Sequence, residues 1–327
     1  MTGDPAAFHR TLPGYAPTRL AELPALARRG RAARLFAKDE SNRFGLPAFK
    51  ALGASWALHR ALQRHGGGGP ATIVTATDGN HGRAVARFAR EFGRRARVYV
   101  PAGVPAAAVA AIRAEGAEVV AVGGDYDRAV RTAAADPDGL LVQDTAWHGY
   151  EEIPGWIVEG YSTLFTELDE QLAAAGAGPP DLLVVPTGVG SLLQAALTHY
   201  GRPTRIVSVE PDTAACVKAS VEAGRPVTVS TDATIMAGLN CGTVSTLAWP
   251  LIRDRLDGCV TVSDARARAA MADLAAEGVA AGPCGAAALA ALAQLPAQGD
   301  VVLLITEGAA ANPVAQDGAQ DRAQDMA

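Results

Sequence analysis

Lys50 stands in the apolar frame Ala48-Phe49-Lys50-Ala51, just after a polar, Gly-containing run from Lys38 to Gly45. An amine so placed is partly desolvated, which disfavours the ammonium, lowers the pKa and leaves a nucleophile able to form a Schiff base with an aldehyde. Alone, such a lysine more often snorkels its charged head out of an apolar surface. Three further segments tip the balance.

The first, Thr75-Ala76-Thr77-Asp78-Gly79-Asn80-His81-Gly82, follows the apolar run Ala71 to Val74 and precedes the helical pattern Arg83 to Phe88. It reads as strand, tight loop and helix start, with Asp78 and Asn80 either as caps or as side chains laid against a planar ligand. The second, Leu182 to Leu193, carries an apolar strand into a Gly-rich turn and an apolar helix. Its backbone amides and helix N-terminus suit an anion. With only Gly188 and Gly190 in place and no Walker lysine, a phosphate monoester fits better than a dinucleotide, the bland alternative being glycine for turn geometry. The third is the strand Val301 to Ile305, which ends at Thr306, a hydroxyl either capping a turn or placed at the carboxyl end where open α/β sheets bind ligands. Amine, planar-ligand loop, phosphate cup and hydroxyl are together the partners pyridoxal 5′-phosphate needs.

Strand-like runs alternate with Ala- and Arg-rich helical patterns from Ala71 onward, at Arg97–Val100, Glu118–Val122, Leu140–Gln143, Leu182–Val185, Ile206–Val209 and Val301–Ile305. That alternation predicts α/β architecture, a doubly wound parallel sheet with helices on both faces. The chain has 327 residues, 49% of them apolar, enough for a large core, and a net charge of -5 that offers no footprint for nucleic acid. Its apolar stretches are strand-length, so neither a membrane span nor a secretory leader is expected and the expected location is cytoplasmic. Cys216, Cys241, Cys259 and Cys284 form no C-x-x-C pair, which argues against a zinc ribbon and for reduced, mostly buried thiols. No metal ligand set is expected. Gly66 to Pro70 reads as a flexible connector, and the Ala-Gln-Asp repeats from Ala315 as a disordered tail over 315–327.

The sequence resembles the fold-type II pyridoxal-phosphate enzymes, the tryptophan synthase β-like group, and within it most closely the diaminopropionate ammonia-lyase family. The likeness rests on Leu12-Pro13-Gly14-Tyr15-Ala16-Pro17-Thr18, the lysine frame Asp39 to Lys50, Thr77 to Arg83, Gln143-Asp144-Thr145-Ala146-Trp147, Gly188 to Leu192, Met236 to Leu239 and Thr306-Glu307-Gly308. It implies two mostly parallel α/β domains with the cofactor in the cleft between them. The larger comprises 1–69 and 151–314, and the smaller 70–150 is inserted into it. A homodimer is implied too. The chain departs from the family at His148, at Asn240-Cys241-Gly242-Thr243-Val244 and after Gly308, segments that in relatives approach the amino acid.

The resemblance assigns Lys50 to the cofactor aldehyde and then to the Cα proton of an L-amino acid. Gly188, Val189, Gly190, Ser191 and Leu192 would hold the phosphate through N–H groups, Asn80 the phenolic oxygen, and Thr306 the pyridine nitrogen as a neutral partner. Asp78 would serve as base for a D-substrate or, with Asp144, as counter-ion to a second amine. The implied reaction is β-elimination from 2,3-diaminopropionate to pyruvate and ammonia. The alternatives are a β-eliminating or β-replacing enzyme or dehydratase for another β-substituted amino acid, and a cofactor-binding protein without turnover.

Overall fold

The computed structural model describes residues 3–66, 70–77, 79–124 and 126–312. Asp78, most of the Gly66–Pro70 connector and the 315–327 tail lie outside the described residues. Ten strands occur among the described residues: β1 (Arg19–Glu22), β2 (Arg34–Asp39), β3 (Thr72–Ala76), β4 (Arg95–Val100), β5 (Glu118–Ala121), β6 (Gly139–Leu141), β7 (Leu182–Pro186), β8 (Arg205–Pro211), β9 (Gly258–Val262) and β10 (Asp300–Ile305).

They form two sheets, one of six strands in the order β1-β2-β10-β7-β8-β9 and one of four in the order β5-β4-β3-β6. Every pairing is parallel except β1 with β2. β3 and β7 are fully buried along their lengths, as a sheet covered on both faces requires. The strand order reverses at β3 in one sheet and at β7 in the other. Their carboxyl ends are therefore the switch points at which such sheets hold ligands.

Two helices bring the sheets together. Lys50–Arg64 crosses Glu152–Ala174 so closely that a Cβ on Gly53 would stand 2.6 Å from the Tyr161 ring, and one on Gly160 2.6 Å from the Leu52 carbonyl oxygen. Only glycine permits that approach. It seats the first turn of the lysine-bearing helix over Tyr161, whose hydroxyl is buried without a hydrogen-bond partner.

The run before Lys50, which looks like a solvated loop, contains three fully buried charges: Lys38, Glu40 and Arg43. Arg43 pairs with Glu40 at 2.6 Å and with Glu167 at 2.6 Å, and Lys38 reaches Glu167 at 2.9 Å. Two cations thus meet two anions. Removing one member would strand a buried charge at a cost of about 3–5 kcal/mol. The cluster ties β2 and its exit loop to Glu152–Ala174, fixing where the chain must turn into Lys50.

The N-terminal helix Pro5–Thr11 docks through His9, whose Nδ1 lies 2.7 Å from Thr163 Oγ1 and whose Nε2 lies 3.1 Å from the Leu52 oxygen. Burial pulls the His9 pKa down to about 4. The folded ring stays neutral while the unfolded ring protonates near its ordinary value, so stability drains away as pH falls from about 6.5 towards 4. His9→Ala should therefore cost about 3 kcal/mol at pH 7.5, and the gap from wild type should narrow at pH 5. Urea unfolding at the two pH values checks this; an unchanged gap refutes it. No described helix is long and apolar enough to cross a membrane.

Candidate active site

A cleft of about 800 Å³, counting its open mouth, lies where the carboxyl ends of β3, β7 and β10 converge. Lys50, Asn80, Asp144, Thr306 and the 188–192 loop all line it. Residues up to 258 positions apart in the chain are thus gathered on one cavity by the two switch points, Phe49 and Glu307 being the extremes.

Lys50 is the first residue of its helix, and its Nζ donates to Asp144 Oδ2 at 2.6 Å. The expectation that desolvation lowers its pKa is corrected here. Burial does pull the amine down, and more than any other single influence, but the Asp144 carboxylate together with Tyr161 and Cys241 outweighs it, so Lys50 sits above its ordinary value. Burial likewise pushes Asp144 up, while Lys50 and, at the acid pH where it is protonated, His81 outweigh it and hold the carboxyl at about 2. Across neutral pH the pair is ammonium and carboxylate. Its stabilising effect is present above the ordinary carboxyl pKa near 3.9 and below the ordinary lysine pKa near 10.4.

Asn80 opens the helix Asn80–Glu91 but does not cap it. Thr77 does that work, its hydroxyl accepting from the Gly79 N–H at 2.9 Å and the Gly82 N–H at 3.1 Å. The Asn80 side chain is left to face the cleft and Glu307. Next to it His81 sits with Nε2 2.9 Å from the Val142 carbonyl oxygen, which assigns the ring proton to Nε2. Burial lowers the His81 pKa, so the ring is neutral, with Nδ1 buried, unpartnered and 3.9 Å from Asp144.

The helix Ser191–His199 begins without a side-chain cap, after Gly190 at φ 100°. Its first N–H groups have no partner within the helix and open on the cleft. Ser191 Oγ donates to the Asp144 carbonyl oxygen at 2.7 Å, locking the loop to the residue that holds Lys50. Thr306 Oγ1 is buried at the cleft with no hydrogen-bond partner, an expensive state unless a ligand atom completes it. An uncapped helix start for a phosphate, an unpaired hydroxyl for a ring nitrogen and a lysine for an aldehyde fit pyridoxal phosphate.

Spacing alone did not single out His81, Tyr126, Cys241, Cys284 or Glu307 as site residues, yet all five line the cleft. Burial and the neighbouring Glu307 raise the Cys284 pKa well above the ordinary thiol, so it is an inert wall. Of the departures from the family pattern, Asn240, Thr243, Val244 and His148 are not among the cleft's lining residues, His148 being exposed, whereas Cys241, which the family pattern shares, reaches the cleft.

A family model for pyridoxal-phosphate dependent enzymes matches residues 11–307. The chain is 40% identical over 295 residues to a diaminopropionate ammonia-lyase of Salmonella typhimurium, covering 81% of this chain and 73% of that protein. It is 37% identical over 288 residues to the Escherichia coli protein of the same name, covering 81% and 72%. The crystal structure of the Escherichia coli protein in complex with D-serine superposes with a TM-score of 0.88 at 32% identity, over 94% of this chain and 88% of that one. Another crystal structure of that protein, with an aminoacrylate-PLP azomethine reaction intermediate, gives a TM-score of 0.87 over the same shares at 33% identity.

Proposed function

The chain belongs to the pyridoxal-phosphate-dependent enzymes, and from that premise we propose that it is a carbon–nitrogen lyase that removes the β-amino group of 2,3-diaminopropionate, yielding pyruvate and ammonia. The observation that carries this reading is the Asp144 carboxylate, nine-tenths buried, facing the cleft 2.6 Å from Lys50.

When bound, pyridoxal phosphate supplies the electron sink that makes the Cα proton of an amino acid removable. The N–H groups of Gly188, Val189, Gly190, Ser191 and Leu192 would hold its phosphate, Asn80 would donate to its phenolic oxygen, and Thr306 would meet its pyridine nitrogen as a neutral partner. Lys50 would hold its aldehyde and, once free, would be the base for the Cα proton of the L-isomer.

Asp144 sets the timing. In the chain without cofactor it pairs with the Lys50 ammonium, and once the substrate amine has released Lys50 from the aldehyde the same pairing would hold Lys50 in a form that cannot accept a proton. A β-ammonium on the substrate competes for the same carboxylate, and Lys50, left buried without its counter-ion, reverts to the neutral base that desolvation favours. Only a substrate bringing its own cation makes that exchange. With a neutral β-substituent Asp144 keeps its pair with Lys50, which stays an ammonium and cannot take the Cα proton.

Asp78 is proposed, from the sequence, as the base for the D-isomer. Residues 70–150 are proposed to act as a small domain against the rest, and the protein as a homodimer, both by likeness to the family; a cytosolic location is proposed from the composition of the sequence. The test is a substrate panel of D- and L-diaminopropionate, serine, O-acylserines, threonine and cysteine, with release of pyruvate or 2-oxobutyrate and ammonia measured for wild type and Asp78→Asn. Diaminopropionate should lead, and Asp78→Asn should cost about 10²-fold or more on the D-isomer only. A faster serine or O-acylserine would make this a lyase for a different β-leaving group.

A further inference from the structure

Glu307 is a buried carboxylate that the proposed chemistry does not use, 1% exposed and facing the cleft. Its Oε2 accepts from Asn80 Nδ2 at 2.6 Å and from Asn312 Nδ2 at 2.9 Å, and its Oε1 accepts from the Cys284 N–H at 3.2 Å. The niche is shaped around it. A Cβ on Gly282 would stand 3.0 Å from Glu307 Oε1, and one on Gly285 2.9 Å from the Glu307 carbonyl oxygen.

The backbone is equally fixed: Gly282 N–H donates to the Glu307 oxygen at 2.9 Å, and Glu307 pairs with Ala48, two residues before Lys50. A side chain leaving β10 of the six-stranded sheet thereby holds the first residue of the helix that follows β3 of the four-stranded sheet. Three N–H donors converge on it from three segments. An ionised carboxylate, with acceptors at both oxygens and no donor, satisfies all three.

A carboxamide has two unlike ends on a torsion that is nearly two-fold, so an untethered asparagine can present oxygen or nitrogen to the cleft. Facing a carboxylate it has no choice: the NH₂ end must point to Glu307. The second hydrogen of that nitrogen is then committed to donate. We propose that Glu307 is a positioning residue that fixes the donor end of the Asn80 carboxamide for the anionic oxygen of the bound cofactor, with Asn312 steadying the same carboxylate oxygen. The proposal rests on the assignment of Asn80 to that oxygen. Asn312 stands in the segment after Gly308 where this chain departs from its family.

The test is a double-mutant cycle read as the dissociation constant of pyridoxal phosphate for the apo-protein, by fluorescence titration, alongside the position of the bound cofactor's visible band. Asn80→Ala should weaken binding about tenfold, the loss of one charge-assisted hydrogen bond. Glu307→Gln should weaken it by a similar factor, because one carbonyl oxygen cannot serve both the asparagines and the Cys284 N–H while its NH₂ opposes whichever donor remains. Asn312→Ala should cost about threefold or less, for a bond that acts at one remove. In an Asn80→Ala background Glu307→Gln should add less than about twofold, and both single variants should shift the visible band the same way.

Wild-type affinity in Glu307→Gln, or a loss undiminished in the Asn80→Ala background, would overturn the proposal and leave Glu307 as a brace for the helix Pro283–Leu292 alone. An Asn80→Ala protein with unchanged affinity would overturn the assignment beneath it as well, while the lyase reading would still be judged by the substrate panel. If Glu307→Gln does not fold, Asn312→Ala carries the same cycle, and its effect must vanish in the Asn80→Ala background.

Discussion

Lys50→Ala yields a protein without the visible band of cofactor-bound wild type, with nothing for borohydride to bleach, and with turnover lower by at least about 10³-fold, since the attachment point and the Cα base are lost together. A second consequence follows from the ion pair. The variant leaves Asp144 buried in the cleft wall without its cation, and the carboxyl that Lys50 helped to hold at about 2 is released to the upward push of burial. At neutral pH the apo-variant should be destabilised by about 2–3 kcal/mol, discounted from the fully buried case because the side chains of Lys50 and Asp144 remain 19% and 9% exposed. The loss should shrink as pH falls and Asp144 takes a proton. Lys50→Ala with Asp144→Asn should recover most of it at neutral pH, since the amide carries no charge to strand. Urea unfolding of the two variants at pH 7.5 and 5 reads both effects. A coloured Lys50→Ala protein would sink the assignment of Lys50, whatever the stability data show.

What could be read from the chain beforehand was local. A strand running into Gly188-Val189-Gly190 and a helix, a strand ending at Thr306 and the loop to Asn80 each announce themselves within a dozen residues, and all of them line the cleft. The fold class was legible for the same reason, because buried parallel strands such as β3 and β7 are uninterrupted apolar runs. Strands β1, β2 and β9 were not singled out. β2, Arg34-Leu35-Phe36-Ala37-Lys38-Asp39, mixes charge into its core positions, and Lys38 is tolerated there because Glu167, 129 residues away in sequence and 2.9 Å away in space, supplies its counter-charge while the Thr18 carbonyl oxygen and Gln171 Oε1 take its other hydrogens. Lys50 was misjudged in the same way: its burial could be read from its neighbours, but not the carboxylate 94 residues on that reverses the effect of burial. Asp144 itself is legible only through family likeness, and Glu307 carries no role at the level of sequence, since nothing near it in the chain reveals that Asn80, Asn312 and the Cys284 N–H converge on it.

Asp144→Asn separates the two tasks proposed for one carboxylate. If Asp144 pairs with the substrate's β-ammonium, the amide removes a charge-assisted hydrogen bond of about 3 kcal/mol, and kcat/KM for diaminopropionate falls about 10²-fold. Serine, whose β-hydroxyl brings no charge, should lose much less, so the preference for diaminopropionate collapses in this variant. The second task predicts a change of opposite sign. Without the carboxylate that raises it, Lys50 is governed by burial and its pKa drops, so the apo-variant should reach full reaction with added pyridoxal phosphate at a lower pH than wild type. The two readouts are independent. Equal losses on diaminopropionate and serine, with the pH shift present, would confine Asp144 to holding Lys50 and leave the β-ammonium to another group, with neutral His81 and its unpartnered Nδ1 the nearest candidate. A retained preference with no pH shift would remove Asp144 from the chemistry, and with it the exchange of cations by which a diamine, and not a hydroxy amino acid, frees the base that acts on it.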